Sequence, residues 1–315
     1  MLLRIRSISY LAEAINGYEL VDPKGRDLPR FAAGAHVAVR LGHGVLRDYS
    51  LWNDPAERRR YCIAVLREPG GEGSHLLHDT MRVGELVEVS LPRNNFPLAA
   101  EARRHLFIAG GIGITPIMAM IAELRRRGAD FLLHYCTRTA EGTAFRDELD
   151  LLAAQGRVRF HHDGGDPARS LDIAALLREP QAGTHLYFCG PSAMMTAAAS
   201  AAAHWPAGTV HCEYFTGPAA RPPRPLEEDR PFRVRLAQSG GEYDVPAGET
   251  IIDVLRRHGI AVRTSCELGY CGACLTRYRA GEPDHRDQIL SETDRARYLL
   301  ICCSRAKTPI IELDL

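Results

Sequence analysis

Four cysteines near the C-terminus have a spacing that suits a metal cluster. Cys266, Cys271 and Cys274 form a C-x4-C-x2-C run, and Cys302 follows after a further 27 residues. Plant-type 2Fe-2S clusters have ligands at this spacing. Because such a cluster carries one electron at a time, the sequence predicts an electron carrier.

Zinc binding and disulfide formation are the alternative uses of these cysteines. Zinc sites usually present two C-x2-C knuckles far apart in sequence, whereas here three cysteines crowd into one short loop. Disulfides are disfavoured because nine cysteines is an odd number and nothing marks the chain as secreted. Cys303 lies beside Cys302 and competes with it as the fourth ligand, and spacing alone leaves both open.

Length and composition predict a soluble globular chain. Its 315 residues are 45% hydrophobic, which is enough for two or three domains with separate cores. The net charge is zero, so a nucleic-acid-binding face is not expected. The apolar N-terminal residues are interrupted by Arg4, Arg6 and Glu13, and residues 106–122 are uncharged but rich in glycine. We expect a cytoplasmic protein that does not bind membranes, and a monomer when isolated.

Hydrophobic patterning divides the chain into three parts joined by one linker. Residues 1–100 show short alternating runs between turn residues, which predicts a small antiparallel β-barrel. Residues 101–215 alternate apolar strands with helical stretches, which predicts a parallel sheet in an α/β domain. Residues 216–230 are rich in proline and charge and are interpreted as a linker. Residues 231–315 predict an α+β domain that holds the cluster loop near its surface.

A glycine-rich turn in the middle domain suits a nucleotide phosphate. An apolar strand runs into Gly110 and Gly111, Gly113 follows, and we expect Thr115 to cap the next helix with Pro116 as its first residue. Glycines before a helix N-terminus let a pyrophosphate approach free N–H groups. The pattern is GGxGxTP and not GxGxxG, so a glycine-rich turn without a ligand remains an alternative.

Two more strand ends support a nicotinamide dinucleotide site. Cys189, Gly190 and Pro191 end one strand and open a helix, while Arg138 follows another strand. Open α/β sheets bind ligands at the C-terminal ends of their strands. Arg138 suits a nucleotide phosphate or ribose, although an arginine after a strand is also commonly only solvated.

A carrier is needed between a two-electron hydride donor and a one-electron cluster, and flavin can split the pair. Candidate flavin residues lie in the predicted barrel, at Arg47, Tyr49 and Ser50 and at Gly73 and Ser74. An arginine beside glycine-backed N–H groups suits a phosphate, and Tyr49 could lie against a flat ring. Taken alone, RDYSL would be an ordinary strand.

The motifs RDYSL, GGEGS, GGIGITP, YFCGP and CELGYCGACL occur in an order typical of one family. Over essentially its whole length the chain resembles the FMN-dependent reductases of Rieske-type oxygenases, of the phthalate dioxygenase and vanillate demethylase type. The resemblance implies an FMN barrel, an NADH domain and a plant-type ferredoxin domain with a β-grasp fold.

The resemblance also implies roles for individual residues. The flavin phosphate and ring would be held by Arg47, Tyr49, Ser50, Gly73 and Ser74, with Ala64, Val65 and Leu66 along the isoalloxazine and Thr115 and Phe215 nearby. The nicotinamide would be surrounded by Gly110, Gly111, Gly113, Cys189, Gly190 and Pro191. The family's fourth cluster ligand precedes x-S-R, which selects Cys302 over Cys303.

The implied reaction is transfer from NADH through FMN and the cluster to a terminal oxygenase, a ring dioxygenase or an O-demethylase. Since the cofactors carry the chemistry, we expect no catalytic acid, base or nucleophile. A haem or di-iron monooxygenase is an alternative acceptor. A redox sensor is a further alternative, although the sequence shows no DNA-binding segment or output domain. NADH over NADPH rests on the resemblance alone.

Overall fold

The computed structural model describes residues 1–42, 45–206, 208–215, 229–262, 269, 274–287, 290 and 292–315. They belong to two compact units, Met1–Cys212 and Glu213–Leu315. Most of the predicted linker, together with Cys266 and Cys271, lies outside the described residues. Within the described part of the chain, no helix has the length and apolarity needed to cross a membrane.

The first sheet is antiparallel and has seven strands. Their bounds are Leu2–Ala12 (β1), Ile15–Val21 (β2), Ala35–Arg40 (β3), Leu46–Ser50 (β4), Tyr61–Leu66 (β5), Leu86–Val89 (β6) and Arg93–Asn94 (β7). The order is β4-β3-β6-β1-β2-β5, with β7 beside β3. Its strands contribute to an apolar core that includes Ile5, Val37 and Ile63. Helix α1 (Glu72–His75) follows β5 and continues as a π-helical turn over Leu76–Thr80.

The second sheet carries helices in the connections between its strands. It contains Arg104–Gly110 (β8), Asp130–Thr137 (β9), Val158–His162 (β10), Thr184–Cys189 (β11) and Val210–Glu213 (β12), in the order β10-β9-β8-β11-β12. Strands β8 to β11 pair in parallel. The helices are Ile114–Arg127 (α2), Arg146–Ala154 (α3), Ile173–Leu177 (α4) and Ser192–Ala201 (α5). The strand order reverses between β8 and β11, so the C-terminal ends of these strands form a topological switch point.

Helix α2 begins earlier than the sequence predicted. A 3-10 turn over Gly111–Gly113 leads directly into it, and Gly113 is the N-cap. Thr115 is therefore not the cap but the second helical residue, and its hydroxyl donates to the carbonyl of Ile112 at 3.1 Å. Pro116 is the third helical residue and not the first, a position where a missing N–H still costs no intrahelical bond. The prediction was wrong because the glycine turn is itself helical.

The second unit contains a mixed sheet with one helix in its core. The strands are Phe232–Leu236 (β13), Glu242–Val245 (β14), Leu275–Ala280 (β15), Pro283–Asp284 (β16), Tyr298–Leu300 (β17), Arg305–Ala306 (β18) and Ile310–Leu313 (β19). The main order is β14-β13-β19-β15-β17, and β16 pairs with β18. Helix α6 (Ile251–Arg257) begins at a capping box between Thr250 and Asp253, and α7 covers Glu292–Arg295.

Candidate cofactor sites

The outer edge of β5 offers unused main-chain groups to a ligand. The amide of Arg67 donates to the carbonyl of Ala14 at 2.8 Å, which sets the alternation of hydrogen bonds along this antiparallel pair. Val65 therefore directs its main-chain groups toward β2, whereas Ala64 and Leu66 direct theirs toward the opposite edge. A flat ring with its own donors and acceptors can pair with such an edge.

Strand β4 lies across from that edge. The amide of Leu51 donates to the carbonyl of Ala35 at 2.8 Å, so by the same alternation the main-chain groups of Ser50 point away from β3. The amide of Trp52 donates to the carbonyl of Cys62 at 3.0 Å and joins the two ends of the sheet. Beyond this bond the described strands form no β4–β5 ladder. The predicted flavin residues of β4 and β5 therefore border one slot.

A cationic side chain and a short helix meet beside this slot. A Cβ placed on Gly73 would lie 2.7 Å from Cγ of Arg47, so the glycine makes room for the arginine. Ser74 closes the loop before it: its hydroxyl donates to the carbonyl of Gly71 at 2.8 Å and accepts from the amide of Glu68 at 3.2 Å. Among the described residues no carboxylate lies within ion-pair distance of Arg47. This arrangement suits a phosphate group.

The glycines of the predicted nucleotide site pack two turns together. A Cβ on Gly110 would lie 2.5 Å from Cδ of Pro191, and one on Gly113 would lie 2.3 Å from the carbonyl oxygen of Cys189. A Cβ on Gly190 would in turn lie 2.8 Å from Cα of Gly110. Glycine is therefore required at these positions because the turns after β8 and β11 are in contact. The sequence interpretation attributed the need for glycine to the ligand alone.

Gly111 is the glycine of this turn that faces open space. Its φ is +50°, and no atom lies within 4 Å of a Cβ placed on it. The hydroxyl of Tyr135 donates to its carbonyl at 3.2 Å and fixes the turn. Strand β5 contacts the same turn, and Ala64 belongs to the core cluster that includes Ile114. The edge of the flavin slot and the glycine turn are thus neighbours within one unit.

Thr115, Arg138 and Phe215 are the remaining predicted nucleotide and flavin residues. Thr115 is buried in the first turn of α2. Arg138 is exposed just after β9, at the same C-terminal edge of the sheet as the glycine turn. Phe215 is exposed, follows β12 and belongs to the second unit.

Three described cysteines gather in the second unit. Cys274 and Cys302 are 4% and 3% exposed, and hydrogen bonding with Cys274 and then with Cys303 holds the pKa of the Cys302 thiol above its usual range. Cys303 is more exposed, and its sulfur lies 2.6 Å from a Cβ placed on Gly269. Cys274 and Cys302 are two of the four predicted ligands, and cysteine thiolates are the ligands of iron–sulfur clusters.

Comparisons with known proteins agree with this geometry. A family model for an oxidoreductase NAD-binding domain matches residues 107–200, and one for a 2Fe-2S iron-sulfur cluster binding domain matches residues 234–307. The reductase subunit of tert-butanol monooxygenase / tert-amyl alcohol desaturase from Aquincola tertiaricarbonis is 47% identical, over 99% of this chain and 95% of its own. Phthalate dioxygenase reductase from Burkholderia cepacia is 44% identical, over 99% and 97%. The chain belongs to the phthalate dioxygenase reductase family.

A solved structure of phthalate dioxygenase reductase, described as modular for electron transfer from pyridine nucleotides to 2Fe-2S, has the same fold as this reductase. The TM-score is 0.71 at 43% identity, covering 100% of this chain and 98% of that chain. The predicted family and the predicted three-part fold class are confirmed. This reductase is an oxidoreductase with an NAD-binding domain and a 2Fe-2S cluster-binding domain.

The sequence did not indicate the hydrogen-bond partners of one histidine in this reductase. His78, on the π-helical turn after α1, donates from Nε2 to the carbonyl of Val65 at 2.9 Å, which leaves Nδ1 to accept from the Asn16 amide at 3.2 Å. His78 therefore fastens β5 beside the slot. Nothing in the spacing of His78 in the sequence links it to Val65.

Tyr49, on β4, packs against the apolar core of the first sheet. Burial raises the pKa of its phenol above the usual range, so the ring stays neutral.

Proposed function

We propose that this reductase takes electrons from NADH and passes them through FMN and a 2Fe-2S cluster to a terminal Rieske-type oxygenase, either an aromatic-ring dioxygenase or an O-demethylase. One observation carries this proposal: the open edge of β5 lies next to the glycine turn at the switch point of the nucleotide sheet. A flavin ring and a nicotinamide bound at these places would be neighbours, as hydride transfer requires.

The flavin proposed for the slot is FMN. It supplies the conversion of a hydride into single electrons when bound. Arg47, with the main chain of Gly73 and Ser74, would hold its phosphate, and Tyr49, Ser50 and Ala64, Val65 and Leu66 would hold its ring. The fit rests on the open edge of β5 and on the absence of a carboxylate beside Arg47 among the described residues. Thr115 and Phe215 are proposed to complete the flavin site.

The dinucleotide site is proposed to use the two turns that pack together. Its members are Gly110, Gly111, Gly113, Arg138, Cys189, Gly190 and Pro191. Their main role is to orient the nicotinamide and exclude water, and no side chain need donate or accept a proton. Gly111 supports this assignment because it alone of the first turn's glycines borders open space.

The cluster ligands are proposed to be Cys266, Cys271, Cys274 and Cys302. We further propose a flavin domain over 1–100, a nucleotide domain over 101–215, a linker over 216–230 and a ferredoxin domain over 231–315. The protein is proposed to be a cytoplasmic monomer that docks transiently with its oxygenase.

The test is an anaerobic titration of the purified protein with NADH, followed by extraction of the flavin. We expect FMN in the extract, bleaching of both flavin and cluster absorbance, and a higher kcat/KM for NADH than for NADPH. FAD in the extract, or a preference for NADPH, would contradict the cofactor assignment. Coupled turnover with a Rieske-type oxygenase and with a haem monooxygenase tests the acceptor, and turnover with the haem monooxygenase alone would establish the alternative.

A further inference from the structure

The surface beside one cluster ligand carries an exposed apolar side chain. Leu275 follows Cys274 directly and is 45% exposed, whereas Cys274 itself is 4% exposed. Among the described residues of the second unit, only Phe215 is another large apolar side chain with comparable exposure. Because the described ligands are buried, a partner that takes electrons from the cluster must contact a neighbouring surface such as this one.

Strand β15 also carries positive charge near Leu275. Arg277 is exposed, two residues further on the same strand, and no described carboxylate lies within 4 Å of its guanidinium. The charge of Arg277 also acts on Asp314, whose pKa is lowered chiefly by its hydrogen bond with Arg279 and then by that with Gln238. Because Arg279 already forms an ion pair with Asp314, the positive charges of Arg277 and Arg279 are balanced, among the described residues, by this one carboxylate alone.

A second unpaired arginine directly precedes the neighbouring strand. Tyr298 of β17 pairs with Arg277 in the ladder, and the guanidinium of Arg297 lies 5.8 Å from the centre of the Tyr298 ring. Arg297 is exposed and has no carboxylate within 4 Å in the described part of the chain. Helix α7, which precedes Arg297, carries the acidic residues Glu292 and Asp294. We name Leu275, Arg277, Arg297 and Tyr298 the β15 patch.

We infer that the β15 patch is the docking surface for an acceptor protein whose redox centre is surrounded by carboxylates. The inference rests on the proposed function. Short-lived redox complexes bury little area, and complementary charge around a small apolar contact mainly raises their association rate. A patch with one exposed leucine, two unpaired arginines and an aromatic ring beside a cluster ligand has these properties.

The test compares two probe acceptors of opposite charge, acidic rubredoxin and basic cytochrome c, at low ionic strength with NADH as donor. For Arg277→Glu we expect kcat/KM to fall about 10-fold with rubredoxin and to rise several-fold with cytochrome c. Both changes should shrink as salt is added. Arg297→Glu should act in the same directions, which guards against a local effect of one substitution.

The matched control is Arg30→Glu in the first unit, an exposed arginine that likewise has no carboxylate within 4 Å among the described residues. The rate at which NADH reduces the cluster should be equal in all variants, because the patch acts only on the outgoing step. If Arg277→Glu and Arg297→Glu changed the two acceptors no more than Arg30→Glu does, the docking surface would be wrong. A wild-type protein that reduced neither acceptor would instead overturn the proposed function, and this inference with it.

Discussion

The carbonyl oxygen of Cys189 lies 2.3 Å from the position that a Cβ on Gly113 would occupy, so a side chain at Gly113 would collide with it. The turns that follow β8 and β11 are consequently in backbone contact. Each turn supports the other, so the shape of the proposed nucleotide site depends on residues about 75 positions apart in the chain.

Replacing Gly113 by alanine should therefore force these turns apart. We expect a loss of about 1–3 kcal/mol of stability in the first unit, together with a raised KM for NADH. The only tryptophans, Trp52 and Trp205, both lie in that unit, so thermal unfolding followed by tryptophan fluorescence reports on it selectively. Gly128→Ala is the control, because its φ of +65° costs backbone strain without any clash. Equal losses in the two variants would contradict the packing argument.

Arg47 should matter for the flavin phosphate and not for the ring. Loss of a charge-assisted phosphate contact in Arg47→Gln should weaken FMN binding by about 10- to 100-fold. Riboflavin, which has no phosphate, should bind the variant and the wild type almost equally. Fluorescence titration of the flavin-free protein measures both, with exposed Arg4→Gln as the control substitution. Equal weakening for FMN and riboflavin would place Arg47 elsewhere than at the phosphate.

Cys302 and Cys303 form a natural pair of test and control. We expect Cys302→Ser to lose the visible absorbance and iron content of the cluster while retaining NADH oxidation by a dye, and Cys303→Ser to retain the cluster. The physical reason is that Cys302 is the more buried thiol and lies within hydrogen-bonding reach of Cys274. The reverse result would make Cys303 the fourth ligand.

Local pattern was sufficient to predict much of this fold. The short runs within the first 100 residues form antiparallel strands, as their pattern predicted, and β5 (Tyr61–Leu66) is one of them. The capping box at the start of α6 joins Thr250 and Asp253, which are three residues apart in the sequence. The slot between β4 and β5 was not predictable, because it depends on a ladder that stops after the Trp52–Cys62 bond. Such pairing is a property of the folded sheet and has no local signature.

The glycines show a second limit of local pattern. The motif identified Gly110 and Gly113 correctly as special positions, yet their immediate neighbours are Pro191 and Cys189 from the other turn. The prediction that Thr115 caps α2 was wrong for a related reason. The helical glycine turn leads directly into α2, so the helix begins before Thr115. Both outcomes depend on backbone geometry that a threonine or glycine in sequence does not specify.

Two histidine pairs should make the stability of the first unit depend on pH. Nδ1 of His134 lies 3.1 Å from Nε2 of His161, and Nδ1 of His185 lies 3.0 Å from Nε2 of His211. Burial lowers the pKa of His134 to about 4, and burial, followed by the charge of His185, lowers the pKa of His211 to about 4. Both are therefore neutral in the folded protein near pH 7.

Acidification should destabilise this unit between about pH 6.5 and about pH 4. In that range the unfolded chain binds protons at His134 and His211 that the folded chain does not, so the free energy of unfolding falls as pH falls, by about 1 kcal/mol per histidine at about pH 5.5. Melting followed by tryptophan fluorescence at about pH 7.5 and about pH 5.5 measures the difference. His134→Gln and His211→Gln should each reduce it, whereas Gln at the exposed His204 should not. A wild-type melting temperature that stayed constant across this range would show that His134 and His211 gain their protons as readily in the folded state.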